Sequence, residues 1–130
     1  MKKTVICTVC PNGCRVQVEF TCREDAIVSG NSCPRGAEYA VAECFAPQRT
    51  FSSSVPICDA SRAMMPVRTD KPVPREKLVE CMAALRQIAL TAPVKCHTVL
   101  AADFLGTGAD LITCMTLEKE RKSECTRQMC

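Results

Sequence analysis

The run Cys7-Thr8-Val9-Cys10-Pro11-Asn12-Gly13-Cys14, followed by Cys33-Pro34-Arg35-Gly36, constrains this chain more than any other stretch. In a CxxC turn both sulfurs point at one centre, and Pro11 and Gly13 favour such turn geometry. Cys14 adds a third sulfur, and Cys33 closes the set from a separate element. Four thiolates suit either tetrahedral zinc or a cubane 4Fe–4S cluster. Structural zinc in ribbons uses two CxxC-like knuckles, whereas here three cysteines are packed together and the fourth is alone. That three-plus-one distribution, with Pro directly after the remote Cys, is a cluster pattern. The reading is therefore a 4Fe–4S cluster on Cys7, Cys10, Cys14 and Cys33, with zinc as the alternative. A thiol-redox CxxC, which normally opens a helix beside a βαβ unit, ranks last.

The intervening residues explain how Cys33 returns to the other three. Arg15 to Phe20 alternates polar and apolar, which is a half-buried strand with Val16, Val18 and Phe20 on its apolar face. Arg23-Glu24-Asp25 forms a polar turn, Ala26-Ile27-Val28 a return strand, and Gly30-Asn31 its end. A hairpin brings its two ends together. Pro34 suits the first position of a helix, which runs to Phe45 and stops at Pro47. Free backbone N–H groups at that helix start favour an anionic, thiolate-bound centre beside Cys33. Arg35 stands on the unfavourable side of the helix dipole, so a negatively charged centre nearby would explain it, and solvation alone is the plain alternative. Arg35 is accordingly the candidate cofactor-contacting residue.

The rest of the chain is aliphatic, with one Tyr, four Phe and no Trp among 130 residues. Phe51, Val55 and Ile57 share one side of an extended stretch, and Pro56 places it at a sheet edge. Met64 to Thr69 is extended, with the Met64-Met65 pair assigned to core packing. Pro74 opens a helix through about Ala89, whose apolar face is Leu78, Met82 with Cys81, Leu85 and Ile88. Val94 to Leu100 and Ala109 to Thr116 read as strands joined by a tight turn at Gly106-Thr107-Gly108. The expected fold class is α+β. Residues 1–47 form a metal-binding module of knuckle, hairpin and short helix, 48–117 a small α+β domain with one main helix on a few strands, and 118–130 a mobile tail.

Twelve cysteines in 130 residues would suit a disulfide scaffold in a secreted chain. The N-terminal apolar run, Val5, Ile6 and Val9, is too short for a signal peptide, and Pro11, Asn12 and Arg15 break it. The expectation is a cytoplasmic protein with reduced thiols and no membrane span, in a strongly reducing or anaerobic host. A net charge of +3 with interspersed signs gives no nucleic-acid footprint. Cys22, Cys44, Cys58, Cys81, Cys96 and Cys114 read as small core or semi-buried residues. Cys125 and Cys130 lie in the expected tail. Cys96, His97 and Cys114 are a second candidate metal set, resting on the only His. With one His, no Ser–His–Asp set and no paired carboxylates, the chain offers no catalytic residues for a self-contained hydrolase.

Two resemblances follow from these motifs. Cys7-x-x-Cys10-x-x-x-Cys14 with Cys33-x-Arg35-Gly36 resembles the N-terminal 4Fe–4S motif of molybdopterin oxidoreductases such as formate dehydrogenases. In those enzymes a Lys between cluster and pterin occupies the place of Arg35. The chain is too short to hold a pterin, so this resemblance implies a cluster and no molybdenum chemistry. Over nearly its whole length the chain resembles a small bacterial and archaeal domain-of-unknown-function family of four-cysteine metal-binding proteins. The matching stretches are Cys7 to Cys14, Cys33 to Ala40, Pro66 to Thr69, Ala92 to Val94 and Gly106 to Gly108. Cys96-His97-Thr98 follows Val94-Lys95 where that family tends to carry Gly-Asp at the last two positions, and the eight further cysteines lie outside its four. The resemblance implies a non-catalytic accessory or electron-transfer protein. Its partner would be a flavoprotein dehydrogenase, an FAD-dependent oxidoreductase of the glycerol-3-phosphate dehydrogenase type.

Overall fold

The alternation of Arg15–Glu19 sets the first unit. In the computed structural model, which describes residues 1–120, Val16 and Val18 on β2 (Arg15–Glu19) are fully buried while their neighbours face solvent. β2 is the centre of a three-stranded antiparallel sheet, with β1 (Lys2–Ile6) on one side and β3 (Ile27–Ser29) on the other. The register sets Val5 opposite Val16 and Ile6 opposite Arg15, and places Val18 opposite Val28. Helix α1 (Pro34–Phe45) packs across this sheet. Its buried residues are Gly36 and Ala40, which are small enough to bring the helix backbone close to the strands. Phe45, at the helix end, meets Phe20 edge-to-face with ring centroids 4.8 Å apart. The return from β3 depends on Gly30, at φ +83°, where a Cβ would stand 2.5 Å from the Arg15 carbonyl oxygen.

The chain divides into two compact units, Met1–Gln48 and a second from Arg49 onward. Strand β4 (Gln48–Arg49) carries the boundary. The second unit is built on a five-stranded sheet. Its strands are β5 (Ser52–Cys58), β6 (Met64–Thr69), β8 (Leu90–Thr91), β9 (Val99–Ala101) and β10 (Leu111–Thr113), in the order β8-β5-β6-β10-β9. All neighbours are antiparallel except β5 and β8. After β7 (Val73–Pro74), a 3-10 turn at Arg75–Lys77 leads into α2 (Leu78–Leu85). Val55, Met65, Val67, Cys81, Leu85 and Leu111 anchor one core. The protein is thus a mixed α+β fold, as its sequence pattern indicates.

Several expected boundaries move, each for a local reason. The main helix is α2, eight residues long rather than Pro74 to Ala89. Its end tightens into three-residue hydrogen bonds, Arg86 to Ala83, Gln87 to Ala84 and Ile88 to Leu85, which stop the α ladder. Cys81, not Met82, turns inward, and Met82 is exposed. Met65 is buried, while Met64 on the other strand face is exposed. β5 is not an edge strand. Its neighbour β8 pairs only with Ile57 and Cys58, so Pro56 costs no ladder hydrogen bond on that side.

The strand expected over Val94–Leu100 is interrupted by a turn in which His97 takes φ +60°, and only Val99–Ala101 is strand. The Thr98 hydroxyl donates to the Lys95 carbonyl and the Cys96 amide to Thr116 Oγ1, which holds that turn. β10 is likewise limited to Leu111–Thr113. Between β9 and β10 the chain makes a long loop rather than a tight turn. There the Asp103 carboxylate accepts from the Gly108 amide at 2.7 Å, and the Asp110 carboxylate from the Asp103 amide at 2.9 Å. At the end of the described residues Lys119 bridges to Ala60, and the Glu120 amide donates to the Asp59 carbonyl. Glu118–Glu120 is therefore attached, and the remainder of the expected tail, with Cys125 and Cys130, lies outside the described residues.

Candidate metal centre

The β1–β2 ladder continues past its named strands. Beyond the Ile6–Arg15 pair, the Cys7 amide donates to the Cys14 carbonyl at 2.8 Å. Residues 8–13 therefore form the loop of a hairpin closed by two cysteines, with Gly13 supplying a left-handed turn at φ +60°. The Cys7 side chain is buried, and Cys10 and Cys14 are half-buried. A Cβ on Gly36 would stand 3.7 Å from Cys7 Sγ. The missing side chain there leaves the first turn of α1 open beside that sulfur.

The second hairpin delivers the fourth cysteine. Cys14 Sγ and Ser32 Oγ are hydrogen-bonded at 3.2 Å, and Cys33 is the next residue. Cys33 is the N-cap of α1, in extended conformation, and its side chain makes no capping hydrogen bond. The thiol is thus spared from capping. The Asn31 side-chain amide donates to the Cys33 carbonyl at 3.1 Å, and the Gly36 amide to the same carbonyl at 3.1 Å. These bonds fix the backbone of Cys33. Hydrogen bonds from the Ser32 side chain and then its backbone lower the Cys14 thiol below the ordinary cysteine value. Arg35 is exposed in the first turn of α1, which contains no acidic residue.

Cys7, Cys14 and Cys33 are therefore brought to one end of the first unit, with Cys10 in the loop between the first two. Among the described residues no three Cys, His, Asp or Glu side chains converge to metal-coordinating distance. The donor chemistry, four thiols on one hairpin loop and one helix start, is of the kind that holds zinc or an iron–sulfur group.

The other cysteines divide by exposure. Cys81 is buried, and desolvation, its main influence, raises its thiol above the ordinary value. Cys44, Cys58 and Cys96 are half-buried. Cys22 and Cys114, expected in semi-buried settings, are exposed. Cys22 lies in the β2–β3 turn, where its thiol donates to Asp25 at 3.0 Å. Cys96 Sγ lies 4.0 Å from the Thr113 carbonyl oxygen, and the exposed His97 donates its backbone N–H to that same oxygen. The set Cys96, His97 and Cys114 is not assembled into a metal site. Sequence reasoning did not single out Ser32 or Asn31. Their signal was position alone, one and two residues before the remote Cys.

These features define a cysteine-rich α+β protein with a thiol-lined end on its N-terminal sheet. The family described as "Protein of unknown function (DUF1667)" matches residues 34–115, and the chain belongs to that family. The match begins one residue after Cys33, so the four candidate ligands lie outside it, whereas the sequence resemblance extended over nearly the whole chain. No curated protein matches the chain. The NMR structure of the Clostridium perfringens protein CPE0013 is similar at TM-score 0.51 and 23% identity, over 63% of this chain and 98% of that one. That likeness concerns the fold.

Proposed function

We propose that this protein is a small iron–sulfur accessory or electron-transfer protein, with one 4Fe–4S cluster held by Cys7, Cys10, Cys14 and Cys33. The observation that carries the reading is the joining of two turns. The hairpin closed by Cys7 and Cys14 meets, through the Cys14–Ser32 hydrogen bond, the uncapped Cys33 at the start of α1. When bound, such a cluster supplies one-electron exchange. The chain's own residues hold and orient. Ser32 polarises the Cys14 sulfur, Asn31 and Gly36 fix the Cys33 backbone, and the first N–H groups of α1 favour negative charge at that end. Arg35 places a fixed positive charge beside the site, where it tunes the group or meets a partner. The partner we propose is a flavoprotein dehydrogenase, an FAD-dependent oxidoreductase of the glycerol-3-phosphate dehydrogenase type. The setting we propose is the reducing cytoplasm. No helix among the described residues is long and apolar enough to cross a membrane.

A zinc-stabilised binding module without redox role is the second reading. It draws on the small core of the first unit, five buried side chains among the described residues, which a structural metal would reinforce. Anaerobic purification with iron, zinc and acid-labile sulfide analysis separates the two. About four iron and four sulfide per chain, lost in Cys14→Ser and Cys33→Ser, is the expected outcome for a cubane cluster. Stoichiometric zinc without sulfide selects the second reading, and metal content unchanged in both variants removes the four-ligand site.

A further inference from the structure

The chain has two asparagines, Asn12 and Asn31, and both stand within two residues of a candidate ligand. Their settings are opposite. Asn31 is half-buried, and its side-chain amide donates to the Cys33 carbonyl at 3.1 Å. The start of α1 lies against it, since a Cβ on Gly36 would stand 3.5 Å from Asn31 Cβ. The residue that follows it, Ser32, has its hydroxyl engaged by Cys14 Sγ at 3.2 Å. Asn12 is exposed in the loop closed by Cys7 and Cys14, and its side chain makes no hydrogen bond among the described residues. Gly13 follows it, exposed and at φ +60°. A Cβ built on Gly13 would meet nothing nearer than the Pro11 carbonyl oxygen at 4.0 Å.

Asparagine is chemically labile where the backbone nitrogen of the next residue can reach its side-chain carbonyl carbon. That approach needs a mobile backbone and no side chain on the next residue, and glycine supplies both. At Asn12 the Gly13 nitrogen bonds to the side-chain carbonyl carbon. The bond from that carbon to the amide nitrogen breaks, and ammonia leaves with the Gly13 proton. Water then opens the cyclic imide at either carbonyl, giving aspartate or isoaspartate. Water enters, ammonia leaves and no electrons are exchanged. At Asn31 the amide is held and the next residue carries a side chain, so both requirements fail.

We propose that Asn12 is a site of spontaneous deamidation that retires the thiol end of a chain left without metal. Isoaspartate lengthens the main chain between Cys10 and Cys14 by a carbon atom. Either product also sets a carboxylate among thiols that must ionise to bind a metal. A metal held by Cys10 and Cys14 restrains the loop between them, so the loaded chain is spared and the empty one ages. The link to metal rests on the four-thiolate reading of the site.

The test uses the full chain, stripped of metal and incubated anaerobically at mildly alkaline pH, beside a portion loaded with zinc(II). Peptide mapping by mass spectrometry follows aspartate and isoaspartate at both asparagines. In the stripped chain, conversion at Asn12 is expected to exceed that at Asn31 about fivefold or more, and zinc should slow it about threefold or more. The aged, stripped chain should then take up less zinc than fresh chain. Asn12→Gln, whose longer side chain closes its ring far more slowly, should keep its uptake through the same ageing. Equal conversion at the two asparagines, or none at Asn12, overturns the proposal. An equal loss of uptake in aged Asn12→Gln also overturns it, because the damage would then lie elsewhere, and so does an unchanged rate in chain that holds zinc. If fresh chain takes up no zinc, the four-thiolate reading falls with the metal link, and the difference between Asn12 and Asn31 still decides whether the loop deamidates.

Discussion

The first unit buries five side chains between its sheet and α1, one of them Cys7, whereas the second buries fourteen in a single cluster among the described residues. The first unit is close to the size, about 40 residues, below which a chain usually needs a metal, a disulfide or a partner to fold. Its buried residues are small, Val5, Cys7, Val16, Val18 and Ala40, and its aromatic residues Phe20 and Tyr39 are only partly buried against them. The second unit has Met65, Leu111, Phe51 and Phe104 at its centre and five strands to lay them on. Cys7, Cys14 and Cys33 lie at one end of this thinly buried unit, with Cys10 in the loop between the first two. A metal at that end would supply the cross-link that the small core lacks.

Metal removal breaks this contrast most severely. Stripping the anaerobically purified protein with chelator and oxidant should abolish amide protection at Val5, Val16 and Val18. Protection at Val55, Val67 and Leu111 should be retained, as hydrogen exchange would show. Equal protection in both units after stripping would mean that the first unit stands on its five residues alone. Next in size is a cavity in the larger core. Leu111→Ala removes a fully buried side chain and should cost about 2–5 kcal/mol in urea denaturation monitored on the second unit. A cost under about 1 kcal/mol would show that this core collapses around the gap.

The contrast also explains which parts could be read from the sequence. Strict alternation at Arg15–Phe20 and the Pro34 helix start were legible because one local rule decides each. The return of Cys33 to Cys14 followed from the hairpin between them. Ser32 and Asn31 were not legible, because a hydroxyl or an amide before a cysteine carries meaning only once the sulfur beside it is placed. In the second unit the strands were over-extended. Val94 to Leu100 has strand composition, but His97 adopts a left-handed turn held by tertiary hydrogen bonds, from the His97 amide to the Thr113 carbonyl and from the Thr113 hydroxyl to the Lys95 carbonyl, which no periodicity reveals. Ile88 continues the apolar spacing of α2 after the backbone has left the α ladder, so periodicity alone lengthens that helix.

A smaller effect tests the geometry that brings the thiols together. Gly30→Ala places a Cβ 2.5 Å from the Arg15 carbonyl oxygen at φ +83°. Both clash and backbone strain act where β3 turns toward Ser32 and Cys33, so a cost of about 1–3 kcal/mol is expected, read as a lower Tm of the first unit. The same variant should bind less metal per chain than the parent. Unchanged Tm and metal content would separate the strand return from the site.

The smallest effect lies at the opposite end of the same sheet. Lys2 Nζ stands 2.7 Å from Glu19 Oε1 across β1 and β2, and both side chains are more than half exposed. The Lys2 ammonium, through its hydrogen bond and its charge, lowers the Glu19 carboxyl below its ordinary value. A folded-state value below the unfolded one stabilises the fold above the unfolded value, and that contribution is lost as pH falls through the folded value. At so exposed a pair, solvent screens nearly all of it. Lys2→Ala should therefore leave the acid limb of denaturation almost unmoved, while an NMR titration shows the Glu19 carboxyl returning to its ordinary value. If acid stability instead fell sharply in Lys2→Ala, the edge strand β1 would be held by this ion pair as well as by Val5. The first unit would then depend less on its cysteine end than its core implies.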